Sequence, residues 1–168
     1  MARIILSLLI GLFLLAGCAM ADVPTESTPH PALTVAAPPA PLLTGSCETT
    51  RPLESWLQVT TRLLADYQTR LNEAAGKTPA EAYTNTTELI ALRDAAYQAT
   101  APDCAADAHT QMTTAMDDAL LLLQGYINGS ETDINASLAE LNTRLEAAAT
   151  AQSDLLTQLN TQLQEQRP

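Results

Sequence analysis

Past Cys47 the apolar positions recur at intervals of three and four, and no segment alternates apolar with polar as a strand does. Leu53, Trp56, Leu57, Leu63, Leu64, Tyr67 and Leu71 share one side of a 3.6-residue period, which predicts a helix from about Arg51 to Ala75. Pro52 suits its first turn, where a missing N–H costs nothing, and Gly76 suits the position just past its end. Thr78-Pro79-Ala80-Glu81 then reads as a capping box with proline at the first helical position. The second helix carries Tyr83, Ile90 and Tyr97 every seven residues, with Leu89 and Ala96 beside them, and Pro102 ends it or opens the next. The third, from about Asp103 to Ile127, buries a stripe through Ala105, Ala108, Met112, Met116, Ala119, Leu120, Leu123 and Ile127. Leu120 to Leu123 is apolar all round for one turn, which predicts cover on more than one side. Asn128-Gly129-Ser130 marks a turn, with Ser130 as a helix N-cap. A fourth helix, from about Glu131 to Gln164, has Ile134, Leu138, Leu141, Leu145, Ala148, Gln152, Leu155 and Leu159 at alternating steps of four and three. At 1.5 Å per residue it spans roughly 50 Å, against 20 to 25 residues for the others, so its end overhangs, frays or pairs with something.

Short connections force consecutive helices to be antiparallel neighbours. The expected fold is therefore all-α, an up-down-up-down four-helix bundle with a long C-terminal helix. Ahead of it, residues 19–46 hold six of the ten prolines and have no helical or strand period. Proline removes donors and fixes φ, so this stretch is expected to be a disordered, Pro-rich tether.

The chain opens differently. Arg3 precedes a 12-residue run, Ile4 to Leu15, broken only by Ser7 and Gly11. That is too short to span a hydrocarbon core, which takes about 20 helical residues, and it suits the apolar region of a secretory signal. The run ends in Leu15-Ala16-Gly17-Cys18, which resembles the lipobox of bacterial lipoproteins. The resemblance implies cleavage before Cys18, a diacylglycerol on its thiol and an acyl chain such as palmitate on the new amine. Two or three chains on one residue give stable anchoring. By the same resemblance, Ala19 is not an inner-membrane retention signal, so the outer membrane is expected where there are two. Three regions follow: residues 1–17 as signal peptide, 18–46 as lipidated cysteine and linker, and 47–168 as the bundle.

Charge narrows the partners. Without residues 1–17, 7 basic residues face 19 acidic ones, a formal charge of −12. Nucleic-acid binding needs clustered Lys and Arg, so it is excluded. The acidic residues of helix three, Asp103, Asp107, Asp117 and Asp118, read as a solvated face. With Cys18 taken by lipid, an exported chain retains Cys47 and Cys104, an even number, and an oxidising compartment favours a disulfide between them. Cys47 precedes helix one and Cys104 opens helix three, two helices that would start at the same end of the bundle, the end where the tether enters.

Candidate chemistry is sparse. His109, Met112 and Met116 share one face of helix three, and an imidazole with two thioethers suits copper(I) or axial haem ligation. The same stripe is where core residues are expected, and methionine is a common gap filler, so packing is the adopted reading and no metal or cofactor is assigned. His30, between Pro29 and Pro31, has no ligating neighbour. No nucleophile–base arrangement is readable, so an enzyme is not expected. Pro102-Asp103-Cys104-Ala105, His109, Met112, Met116-Asp117 and Tyr126 are similar to a stretch in exported helical proteins and lipoproteins of filamentous, Chloroflexi-type bacteria. That resemblance covers about a third of the chain and implies no activity. The expected function is a lipid-anchored module of the cell envelope, structural or protein-binding, with a partner at the fourth helix; the alternative is a small ligand, metal or haem held in the bundle core.

Overall fold

The computed structural model describes residues 31–39, 47 and 49–165. The expected signal peptide, Cys18 and the rest of the linker lie outside the described residues. Four helices make the domain: α1 (Thr50–Ala75), α2 (Pro79–Gln98), α3 (Ala106–Ile127) and α4 (Ile134–Glu165). A 3-10 turn, Asp103–Ala105, leads into α3. Each helix packs on its neighbours in sequence, and α4 closes on α1, so the bundle is the expected antiparallel square. Among the described residues there is no strand, and no helix is long and apolar enough to cross a membrane.

The helix ends follow the local chemistry, with one exchange of roles. The backbone N–H and the hydroxyl of Thr78 both donate to Glu81 Oε2, at 3.1 and 2.7 Å, which holds the start of α2 and keeps the Glu81 carboxyl below its ordinary range. Ser130, expected to cap α4, instead closes α3: its N–H and hydroxyl both donate to Gly125 O. Asp133 caps α4, its carboxylate accepting the Asn135 N–H at 3.2 Å. Gly129 turns the chain between them at φ +76°, a conformation that side-chain-bearing residues rarely adopt.

The stripes on α1 and α4 bury as expected except Leu63 and Leu138, which are half-buried at the core's edge, and Gln152 is buried within the α4 seam. On α2 the buried line is shifted by one residue. It runs Ala82, Thr86, Leu89, Arg93, Ala96, and Tyr83, Ile90 and Tyr97 flank it half-buried. Small residues on the centre line let the helices approach, while the larger side chains fill the edges. Of the apolar turn on α3, Leu120 and Leu123 are buried and Leu122 packs on the core, while Leu121 is 59% exposed. Beyond Leu159, the last buried residue of α4, Asn160 to Glu165 continue as exposed helix, about 9 Å of overhang.

Cys47 and Cys104 lie at disulfide distance, their Cα atoms 5.9 Å apart, at the end where α1 and α3 begin. The tether does not come in at that end. Leu33 is buried against Ala82 in the first turn of α2 and Ile127 at the end of α3, the opposite end of the bundle. From there Val35 packs on the core and Ala36 reaches Arg93, further along α2. Part of the segment expected to hang free is therefore seated in the α2–α3 groove. It has no secondary structure, as its prolines require, yet it is held along its length.

Candidate functional site

The seated segment is held through its main chain. The side-chain amide of Asn128, just past α3, pairs with both polar backbone groups of Leu33: Oδ1 accepts its N–H at 2.9 Å and Nδ2 donates to its carbonyl at 3.0 Å. This is the pairing that one residue of a neighbouring β-strand would make. Three residues on, Arg93 Nη1 donates to the Ala36 carbonyl at 3.0 Å.

Arg93 is 1% exposed, on the buried line of α2. Burying a guanidinium is costly unless its donors are satisfied. Here Nε and Nη2 reach Asp94 Oδ1 at 2.9 and 2.7 Å, and Nη1 also lies 3.4 Å from Asp117 Oδ1. The second oxygen of Asp117 accepts the Tyr97 hydroxyl at 2.6 Å. Burial, then the Asp117 hydrogen bond, raises the Tyr97 phenol above its ordinary range. Tyr97 also meets His109 edge-on, ring centres 6.5 Å apart. Trp56 donates from Nε1 to His109 Nδ1 at 3.3 Å. A run of polar side chains from α1, α2 and α3 thus leads from the core at Trp56 out to the seated segment. Asp117 belongs to it and Asp118 pairs with Arg144, so two of the four acids expected merely to face solvent have specific partners.

The three residues singled out as possible ligands are brought into the core. His109, Met112 and Met116 are all buried. Met112 Sδ accepts a hydrogen bond from Gln152 Nε2 at 3.3 Å, and Tyr67 donates its hydroxyl to the Met116 carbonyl at 2.7 Å. Burial holds the His109 imidazole below its ordinary pKa and, still more strongly, pushes the Tyr67 phenol up. Indole N–H is a donor only, so His109 Nδ1 must be the unprotonated nitrogen and Nε2 carries the proton. That Nε2 is buried with no hydrogen-bond partner. Coordination through Nε2 would move the proton to Nδ1 and set it against the Trp56 donor. The described arrangement therefore suits a neutral, packed histidine better than a ligating one. Among the described residues, no cluster of three or more His, Cys, Asp or Glu side chains is placed to hold a metal ion.

Arg93, Asn128 and Leu33 are not among the predicted site residues. One signal points to Arg93, an arginine in step with Leu89 and Ala96; Leu33 and Asn128 carry none. No family model, curated protein or solved structure matches the chain.

Proposed function

We propose that the chain is a lipid-anchored protein of the bacterial cell envelope. Cys18 holds it to a membrane, facing outside the cytoplasm, in the outer membrane where there are two. Its helical domain is a protein-interaction module, not an enzyme. The observation that carries the binding part is the α2–α3 groove, which takes an extended polypeptide by its backbone groups through Asn128 and Arg93. Main-chain recognition of an extended segment is a recurring way of binding peptides. The exposed end of α4 is a second surface for a partner, because Leu156 and Leu163, seven residues apart, are 47% and 39% exposed.

Lipid attachment is tested by growing cells with radiolabelled palmitate: label on the wild type and none on Cys18→Ser is the expected result, and an unlabelled wild type refutes the anchor. Binding is tested by crosslinking in those cells. A partner adduct that survives truncation after Asn160 but not Asn128→Ala assigns the groove, and the converse assigns α4. A monomer under all conditions overturns the module. The lone Nε2 proton of His109 is the one feature favouring a ligand in the core. A visible absorption band or one metal per purified chain would establish that reading, and a colourless, metal-free protein ends it.

A further inference from the structure

The segment in the α2–α3 groove identifies what the groove accepts. It takes an extended chain with a leucine whose N–H and C=O are both free to meet Asn128, an apolar residue two positions on, and a carbonyl within reach of Arg93. A second copy of this chain carries that segment by identity. We infer that residues 31–36 of one copy seat in the α2–α3 groove of a neighbouring copy. This deepens the interaction-module reading by naming one partner and the surface that takes it.

Three observations favour exchange. First, the attachment is made of main-chain pairs and one buried apolar side chain, so nothing in it distinguishes the chain's own segment from another's. Second, the bundle-side end of the connection is fixed by the Cys47–Cys104 pair, and so the bundle keeps its architecture whichever segment fills the groove. Third, ten residues, 37–46, join the segment to Cys47. Their reach is at most about 35 Å, more than the roughly 20 Å breadth of two packed helices. Exchange of an identical element is a low-cost route to a dimer, since each pairing broken within one copy is remade with the other. Molecules held on one membrane would meet at high local concentration, which favours the exchanged form further.

The test uses two full-length copies with different C-terminal tags, co-expressed in an exporting bacterium. The donating copy carries a photo-crosslinking residue in place of Thr34, which is exposed, so seating of Leu33 is preserved. Illumination is expected to give an adduct containing both tags. Asn128→Ala in the receiving copy should reduce it about tenfold, and the same change in the donating copy should leave it unchanged. Leu33→Asp in the donating copy should also remove it, by the tenfold or more that losing one buried leucine implies, without touching the receiver's bundle. Crosslinks confined to single chains, or a two-tag adduct indifferent to both substitutions, would overturn the exchange. A different protein crosslinked from Thr34 with the same Asn128 dependence would overturn the second copy as occupant while leaving the module reading intact.

Discussion

Leu33→Asp separates a seated strap from a structural part of the core. Burying Leu33 contributes about 1.5–3 kcal/mol. The two main-chain hydrogen bonds to Asn128 add about 0.5–1.5 kcal/mol each, and the one from the charged Arg93 guanidinium about 1.5–3 kcal/mol. Against this, ordering the four residues from Leu33 to Ala36 costs about 1–2 kcal/mol each in backbone entropy. The two sides nearly cancel, and the net attachment is on the order of 1 kcal/mol, a seated-to-free ratio of about five. A carboxylate at position 33 removes the apolar burial and is itself not tolerated there. The strap should leave while the bundle stays. Native-state hydrogen exchange followed by NMR should show the amide of position 33 unprotected, with amides in the middle of α3 unchanged. Thermal unfolding should fall by roughly 3–6 °C, the shift that about 1 kcal/mol gives a domain of this size. A fall several times larger would mean that residues 31–39 are part of the cooperative core, and retained protection at position 33 would mean the groove does not depend on Leu33. Either result refutes the energetic argument.

Three further outcomes follow from the same geometry. Because burial depresses the His109 pKa, the folded protein binds its proton less readily than the unfolded chain; the fold therefore loses stability as pH falls below the unfolded value of 6.5 toward the lower folded one, at up to about 1.4 kcal/mol per pH unit. Urea melts between pH 5 and 8 should show this slope in the wild type and a flatter one in His109→Gln. Reducing the Cys47–Cys104 pair, which closes a separation of 57 residues, should cost about 4 kcal/mol in the chain-entropy picture, and Cys47→Ser with Cys104→Ser should match the reduced wild type in guanidinium melts. Truncation after Asn160 should leave the melting temperature within about 2 °C, as only exposed helix is lost, whereas truncation before Gln152 removes Gln152, Leu155 and Leu159 from the seam and should unfold the domain near ambient temperature.

What the sequence reveals follows from which forces are local. Helix starts at Pro52 and Thr78 and the three–four spacing on α1 and α4 are written within one or two turns, so four helices and their order are legible. The disulfide pair is legible because counting leaves two cysteines and the topology puts them at one end. The α2 stripe is misplaced because Tyr83, Ile90 and Tyr97 are the bulky members of that helix, and bulk is a poor guide to depth. In a tight bundle the centre line goes to residues such as Ala82 and Ala96, and the aromatic rings spread at the seams. The groove is hidden for another reason. Asn128 looks like a turn residue and Leu33 like a linker residue; only their pairing across 95 positions gives either one a role. Arg93 is the same kind of case, since its burial is tolerable only because Asp94, Asp117 and Ala36 converge on it from three segments.

If Cys18 anchors the chain as proposed, the strap also bears on how the domain carries load. The segment enters at the end of the bundle where α2 begins and α3 ends, and it runs toward the end that holds Cys47. A pull from the N-terminal side therefore reaches the Leu33 contacts before the Arg93 contact. The Asn128 amide takes the strain, and its two hydrogen bonds open in succession with Arg93 behind them. Once the strap is off, the pull passes through residues 40–46 to Cys47. There the bridge to Cys104 divides it between the starts of α1 and α3, two helices that point the same way in the bundle. The helical core is loaded as a unit and not unravelled from one end. The same order explains why the strap, and not the bundle, is the exchangeable part. Its contacts are few, nearly balanced by entropy and first in the line of force, while everything beyond Cys47 is closed by a covalent bond and a continuous core.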